Sequence, residues 1–211
     1  LHGVGSSVVN ALSEWCTAEV WQDGKVHRQK YVRGVPQTEL EVVGSTDETG
    51  TLIQFKPDPQ IFETVKFDYE SISHRLRELA FLNRGLRIRV ADERTGESEE
   101  FLFEGGVVEF VSFLNEGRNP LHPEPIRLQG ERDGVGVEVA MQYNDGYQET
   151  LFTYANNIKT TEGGTHLVGF RSALTRTINS YANRNNLLKN VKFNVAGEDT
   201  REGISAELRP V

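Results

Sequence analysis

The chain begins with Leu-His-Gly-Val-Gly-Ser-Ser-Val-Val-Asn-Ala-Leu (residues 1–12). The first five residues are typical of a glycine-rich loop, and the apolar residues at positions 8, 9, 11 and 12 predict a buried helix that follows it. Such a loop can bind an anion, because its backbone N–H groups can approach the oxygens of the anion and the helix N-terminus adds partial positive charge. Plain turn chemistry is the alternative for Gly3-Val4-Gly5. A Walker-type P-loop is excluded, because its spacing and its Lys-Ser or Lys-Thr pair are missing.

Turn and cap signals divide the rest of the chain into strands and helices. Asp23-Gly24 predicts a hairpin turn between two strands. Asp68 stands where a helix N-cap is expected, and Asn83-Arg84-Gly85 supplies the stop. The pattern changes around Glu104-Gly105-Gly106, which predicts two α+β layers in series, residues 1–106 and 107–211. In the second block we expect helices over 107–115 and 167–181 and strands over 126–129, 135–143 and 151–155.

The composition excludes several classes of protein. Hydrophobic residues make up 37% of the chain, so it can bury a core, but no apolar run approaches the ~20 residues of a membrane-spanning helix. No charged-then-apolar leader opens the chain. The net charge of −8 argues against a basic nucleic-acid clamp. Cys16 is the single cysteine, so no internal disulfide can form, and the cytoplasm is the expected compartment.

Several different short motifs follow one another along the chain. Besides residues 1–13, they are Asp23-Gly24-Lys25, Thr49-Gly50-Thr51, Pro57-Asp58-Pro59, the segment 75–83, the segment 137–140, the segment 143–146, Asn156-Asn157-Ile158, the segment 163–166 and Arg201-Glu202-Gly203. Together they resemble the B subunits of the bacterial type II topoisomerases, DNA gyrase and topoisomerase IV, which belong to the GHKL ATPase superfamily. The segments 78–83 and 104–106 are nearer to gyrase than to topoisomerase IV.

The resemblance implies a fold and a nucleotide site. The fold is α+β: the end of a Bergerat-type ATPase α/β sandwich (1–106), which carries the ATP lid, followed by a transducer domain with a ribosomal-protein-like β-α-β fold (107–211). The lid is implied to wrap the β- and γ-phosphates of ATP with the backbone amides of Leu1, His2, Gly3, Val4 and Gly5. The side chain of His2 either lies beside the phosphates or only shapes the lid.

The resemblance also implies a role for Thr51, which would reach a water network at the adenine end of the pocket. An ordinary strand-edge threonine after the Gly50 turn is the alternative. The catalytic glutamate, the magnesium-binding asparagine and the adenine-binding aspartate of relatives would precede Leu1. We therefore expect no catalytic residue and no metal ligand within the chain, and ATP and Mg²⁺ are cofactors of the intact protein.

Leu1 is not an initiator methionine, and neither end carries a natural start or stop signal, so we expect a fragment that is inactive alone. The resemblance implies that the intact protein negatively supercoils DNA by hydrolysing ATP. Its implied partners are the gyrase A subunit, DNA mainly through other domains, and a second B subunit on ATP binding, with no membrane. A topoisomerase IV B subunit that decatenates DNA and a MutL-like ATPase or interaction module are the alternatives.

Overall fold

The computed structural model describes residues 4–189 and 194–210. The chain divides into two compact units, Leu1–Asp68 (unit 1) and Tyr69–Val211 (unit 2). This division precedes the sequence-predicted boundary at Gly106. The physical reason is an aromatic cluster: Phe81 and Phe103 stack on each other and Phe81 stacks on Phe110, which joins the segment before Gly106 to the helix after it.

Unit 1 is one helix and an antiparallel sheet. Within the sheet the order is β3-β2-β1-β5, and β4 also pairs with β2. The predicted turn at Asp23-Gly24 is confirmed: both residues have positive φ (53° and 77°), and β1 and β2 pair directly on either side of it. The elements are α1 (Val4–Ala11), β1 (Ser13–Gln22), β2 (Lys25–Val32), β3 (Val35–Pro36), β4 (Glu41–Ser45) and β5 (Gly50–Pro57).

The core of unit 1 is small. Cys16 is the one buried hydrophobic residue among the described residues of this unit. No residue of α1 is buried, so the prediction of a buried opening helix is wrong. The helix contacts β1 and β2, and its apolar side chains Val4 and Val8 both stay 44% exposed.

Unit 2 is a five-stranded sheet with helices and a separate two-stranded ribbon. The sheet order is β11-β10-β12-β9-β8. β10 and β12 pair in parallel and are joined through α4, which gives the expected β-α-β arrangement. The elements are α2 (Tyr69–Leu82), β6 (Ile88–Asp92), β7 (Glu97–Phe101), α3 (Val107–Leu114), β8 (Ile126–Arg132), β9 (Val135–Tyr143), β10 (Thr150–Ala155), β11 (Ile158–Lys159), α4 (Gly164–Arg184), a 3₁₀ turn (Asp199–Arg201) and β12 (Ile204–Pro210).

Both faces of the five-stranded sheet are covered. On one face α4 contributes Phe170 and Leu174 to a cluster with buried β9 and β12 residues such as Val139 and Ile204. On the other face Val107 and Val111 of α3 pack on the buried β9 residue Ala140. The sheet is therefore the middle layer of unit 2. No helix among the described residues is long and apolar enough to cross a membrane.

Candidate functional site

The predicted phosphate-binding segment is only partly described. Leu1, His2 and Gly3 lie outside the described residues. Val4 and Gly5, which the sequence predicted to belong to a loop, form the first turn of α1 instead. The helix therefore starts earlier than its apolar pattern indicated, because a glycine and a valine are tolerated in a first turn whose N–H groups need no helical acceptor.

The N-terminus of α1 fits an anionic ligand. Its first turn contains no acidic residue, and the first N–H groups of any helix lack intrahelical acceptors. Val4 and Gly5 are exposed, and a Cβ built on Gly5 would meet nothing within 4 Å. Donors, partial positive charge and open space are what phosphate oxygens require.

A buried aspartate fixes the junction between α1 and the sheet. The backbone N–H of Asp58 donates to the carbonyl of Leu12 (3.1 Å), and its carboxylate accepts from Arg33 Nε (2.6 Å) and from the N–H of Gln60 (2.9 Å). The hydrogen bonds from Arg33 and Gln60 lower the pKa of Asp58, although burial opposes them. Asp58 thus stays charged and anchors α1. The prolines that flank it are the sequence signal for this turn.

Thr51 lies in β5, opposite Val20 of β1. It is exposed, and the alternation of the strand places it on the same face as Ile53 and Phe55. Val20 is seven residues along β1 from Ser13, where the chain leaves α1, a distance of about 23 Å along the strand. No hydrogen bond between described residues links Thr51 to Val4 or Gly5, so the structure places the two parts of the predicted site on separate elements of unit 1.

An apolar pocket of about 210 Å³ lies beneath α1 within unit 1. Val8 and Val9 of the helix and Leu12, which follows it, lie across the pocket from Phe55 of β5 and from Phe67. The sequence analysis did not identify this pocket. The apolar residues of α1 were the available signal, but they were interpreted as contacts to a closed core.

The described residues contain no group of three or more His, Cys, Asp or Glu side chains that could hold a metal ion.

The sequence analysis also did not identify an open groove of about 760 Å³ along α4 in unit 2, which Arg171, Arg176 and Arg201 line. Arg171 and Arg201 both reach Glu149 Oε1, at 2.7 and 3.2 Å, so much of their charge is neutralised.

Known proteins match nearly all of the chain. The DNA gyrase B protein of Halalkalibacterium halodurans is 56% identical over 98% of this chain, and that of Bacillus mycoides is 51% identical over 98%. The sequence model of DNA gyrase B matches residues 106–209. The chain belongs to the DNA gyrase B family. It spans only a third of the first of these relatives (33%) and about half of the second (52%).

Solved structures support the same family and fold. The 43K ATPase domain of Thermus thermophilus gyrase B, solved with an aminocoumarin, has a TM-score of 0.84 and 43% identity, covering 99% of this chain and 58% of that one. The topoisomerase IV ATP-binding domain of Francisella tularensis has a TM-score of 0.76 and 25% identity, covering 99% and 57%. The sequence-based assignments to gyrase B and to an α+β fold are confirmed. The roles of residues 1–5 and of Thr51 stay predictions.

Proposed function

We propose that the chain is the ATP-lid and transducer part of a type II DNA topoisomerase that negatively supercoils DNA with the energy of ATP hydrolysis. One observation carries the proposal: relatives that match 98% of the chain at 51–56% identity are gyrase B proteins. The likeness to a gyrase B ATPase domain over 99% of the chain supports the same assignment.

ATP is the proposed ligand of the opening segment. The backbone amides of Leu1–Gly5 bind the β- and γ-phosphates, and Thr51 contacts the adenine end of the pocket. The exposed, acid-free first turn of α1 supports the first role. The position of Thr51 on the apolar face of the sheet, beside Ile53, supports the second. We place the Mg²⁺ ligands and the catalytic residues outside this chain, which therefore does not hydrolyse ATP alone.

We propose residues 1–106 as the C-terminal part of the ATPase domain and residues 107–211 as the transducer. The transducer relays nucleotide state to the DNA-cleaving parts of the protein as different contacts in two conformations. The β10-α4-β12 layer, covered on both faces, supports this role because a packed layer moves as one body.

The proposed partners are those of gyrase B in the cytoplasm: the gyrase A subunit, a second B subunit on ATP binding, and DNA. The net charge of −8 and the pairing of Arg171 and Arg201 with Glu149 support DNA contacts mainly through other domains.

A topoisomerase IV B subunit is the second candidate. The topoisomerase IV domain of Francisella tularensis matches the fold over nearly the whole chain, at 25% identity. The gyrase candidate is preferred because, among the solved structures, the Thermus thermophilus gyrase B domain is 43% identical to the chain and the topoisomerase IV domain 25%. Negative supercoiling of relaxed plasmid distinguishes gyrase from an enzyme that only decatenates.

The proposed phosphate contact is tested in the whole protein with two substitutions at Gly5. Gly5→Pro removes one first-turn N–H donor at a position where proline is tolerated, whereas Gly5→Ala keeps the donor and places its Cβ in open space. We expect ATP affinity, measured by calorimetry, to fall about tenfold more for proline than for alanine, since a hydrogen bond to a charged group contributes ~1.5–3 kcal/mol. Equal affinities of the two variants, both folded by circular dichroism, would overturn this contact.

A further inference from the structure

Glu207 is the most buried charged side chain of unit 2 and has no partner among the described residues. It lies in the middle of β12, paired with Phe152 on one side and with Ala140 on the other. Its exposure is 0%, and neither carboxylate oxygen has a hydrogen-bond partner. An ionised carboxylate in such a place loses its hydration without compensation, which is strongly unfavourable.

The side chain points to the face of the sheet that α2 and α3 cover. Residues two apart on a strand share a face. Ser205 Oγ donates to Asn115 Oδ1 at the end of α3 (2.9 Å), and Arg209 donates to the carbonyl of Leu82 at the end of α2. Glu207 stands between these two anchors, so no path to solvent is open while both helices are packed.

The neighbouring carboxylate Glu138, on the same face of the sheet, differs from Glu207 in having charged hydrogen-bond partners. Arg209 Nη2 lies 2.6 Å from its Oε2, and Arg127 Nη2 lies 2.7 Å from its Oε1. Burial would raise the pKa of Glu138, but hydrogen bonds from Arg209 and Arg127 outweigh burial and lower it.

No cation among the described residues remains for Glu207. Arg209 and Arg127 are bound to Glu138, whereas Arg75 and Lys159 lie against Glu78. Burial, with a smaller repulsion from Glu138, raises the pKa of Glu207 to about 8, although Arg209 opposes the shift. The titratable and charged groups on the elements around it include Arg127 (β8), Glu138 (β9), Tyr154 (β10), Lys159 (β11), Arg209 (β12), Glu109 (α3) and Glu70, His74, Arg75, Arg77 and Glu78 (α2).

We propose that Glu207 is a buried proton-binding site, which holds a proton while α2 and α3 cover the sheet and releases it when this layer opens. The neutral carboxyl is tolerated in the apolar interior, whereas its ionised form is not. Opening of the layer is therefore coupled to proton release, and a rise in pH favours opening.

The first test compares unfolding of the 211-residue chain with that of Glu207→Gln, which keeps the shape and cannot ionise. Folded Glu207 binds a proton between its ordinary pKa and about 8, and unfolded Glu207 does not. The folded-to-unfolded ratio of the wild type should therefore fall about tenfold per pH unit, relative to Glu207→Gln, between pH 5 and 8. A ratio between the two proteins that is independent of pH overturns the proposal.

Glu138→Gln is a second variant on the same face. It removes the repulsion from Glu138 and frees Arg209, and both changes lower the pKa of Glu207, so the fall in stability with pH should end at a lower pH than in the wild type.

A second measurement needs no variant to fold. In the wild type labelled with ¹³C at glutamate side-chain carboxyls, one resonance should titrate with a midpoint near 8. Its absence, with every glutamate resonance titrating below pH 6, contradicts the proposal.

Discussion

The position of α2 in unit 2 predicts which part of the chain responds when Phe81 is truncated. Phe81 is 1% exposed, and its ring centroid lies 3.6 Å from Phe103, 4.9 Å from Phe110 and 5.4 Å from Phe113. Replacing a buried phenylalanine with alanine lowers the free energy of unfolding by about 3–5 kcal/mol, because transfer free energy is lost and a cavity remains. With a denaturant slope of ~2 kcal/mol per molar urea, the midpoint of unit 2 should fall by about 2 M.

The two tryptophans make this assay specific to a unit. Trp15 and Trp21 both lie in β1 of unit 1, whereas most helical residues lie in α2, α3 and α4 of unit 2. Far-ultraviolet circular dichroism should therefore report the loss in Phe81→Ala, while the tryptophan fluorescence midpoint stays within ~0.3 M of the wild type. Tyr147→Ala, at an 84% exposed position in unit 2, is the control and should change neither.

The opposite result would refute the reasoning. If Phe81→Ala lowers the fluorescence midpoint and leaves the helical transition unchanged, α2 belongs to the unit of the first sheet. A boundary at Gly106, as the sequence pattern predicts, would then describe the folding units better than the division after Asp68.

Two further predictions concern single positions of unit 2. Gly203→Ala should prevent stable folding of this unit, because the residue has φ +71° and an added Cβ would clash with the carbonyl oxygen of Asn144. Gly130→Ala, where an added Cβ meets nothing within 4 Å, is the control, and its free energy of unfolding in urea should stay within ~1 kcal/mol of the wild type. Normal stability of both variants would disprove this strain. Glu138→Gln should cost about 3 kcal/mol at pH 7, because the largely buried Arg209 loses its charged partner, whereas Arg127 is half exposed and adds little. Since the pKa of Glu138 is lowered in the folded state, this stabilisation is present above its ordinary pKa and is lost as pH falls through the folded pKa. The urea midpoints of the variant and the wild type should therefore converge in acid. A constant difference between them down to about pH 2 would contradict the assignment.

Local signals predicted most elements correctly. The hairpin at Asp23-Gly24, the helix after Asp68 and the strand over 135–143 all depend on residues close together along the chain, and the structure confirms each of them. Long helices such as α4 carry an apolar face that periodicity detects.

Elements defined by distant partners were missed. β12 was not predicted, although its polar residues Ser205, Glu207 and Arg209 alternate with apolar ones; that pattern is typical of a half-exposed strand and does not predict the middle strand of a covered sheet. The burial of Ser205 and Arg209 depends on partners from other elements, Asn115 for Ser205 and Glu138 for Arg209, which the sequence does not place. The exposed surface of α1 and the arginine groove of α4 likewise depend on tertiary packing.

Supercoiling by the whole protein tests the central claim most directly. The protein that contains this chain, mixed with a gyrase A subunit and relaxed closed-circular plasmid, should introduce negative supercoils when ATP is present and none when ATP is omitted, as resolved on chloroquine gels. Decatenation without negative supercoiling, or supercoiling that does not require ATP, would contradict the assignment.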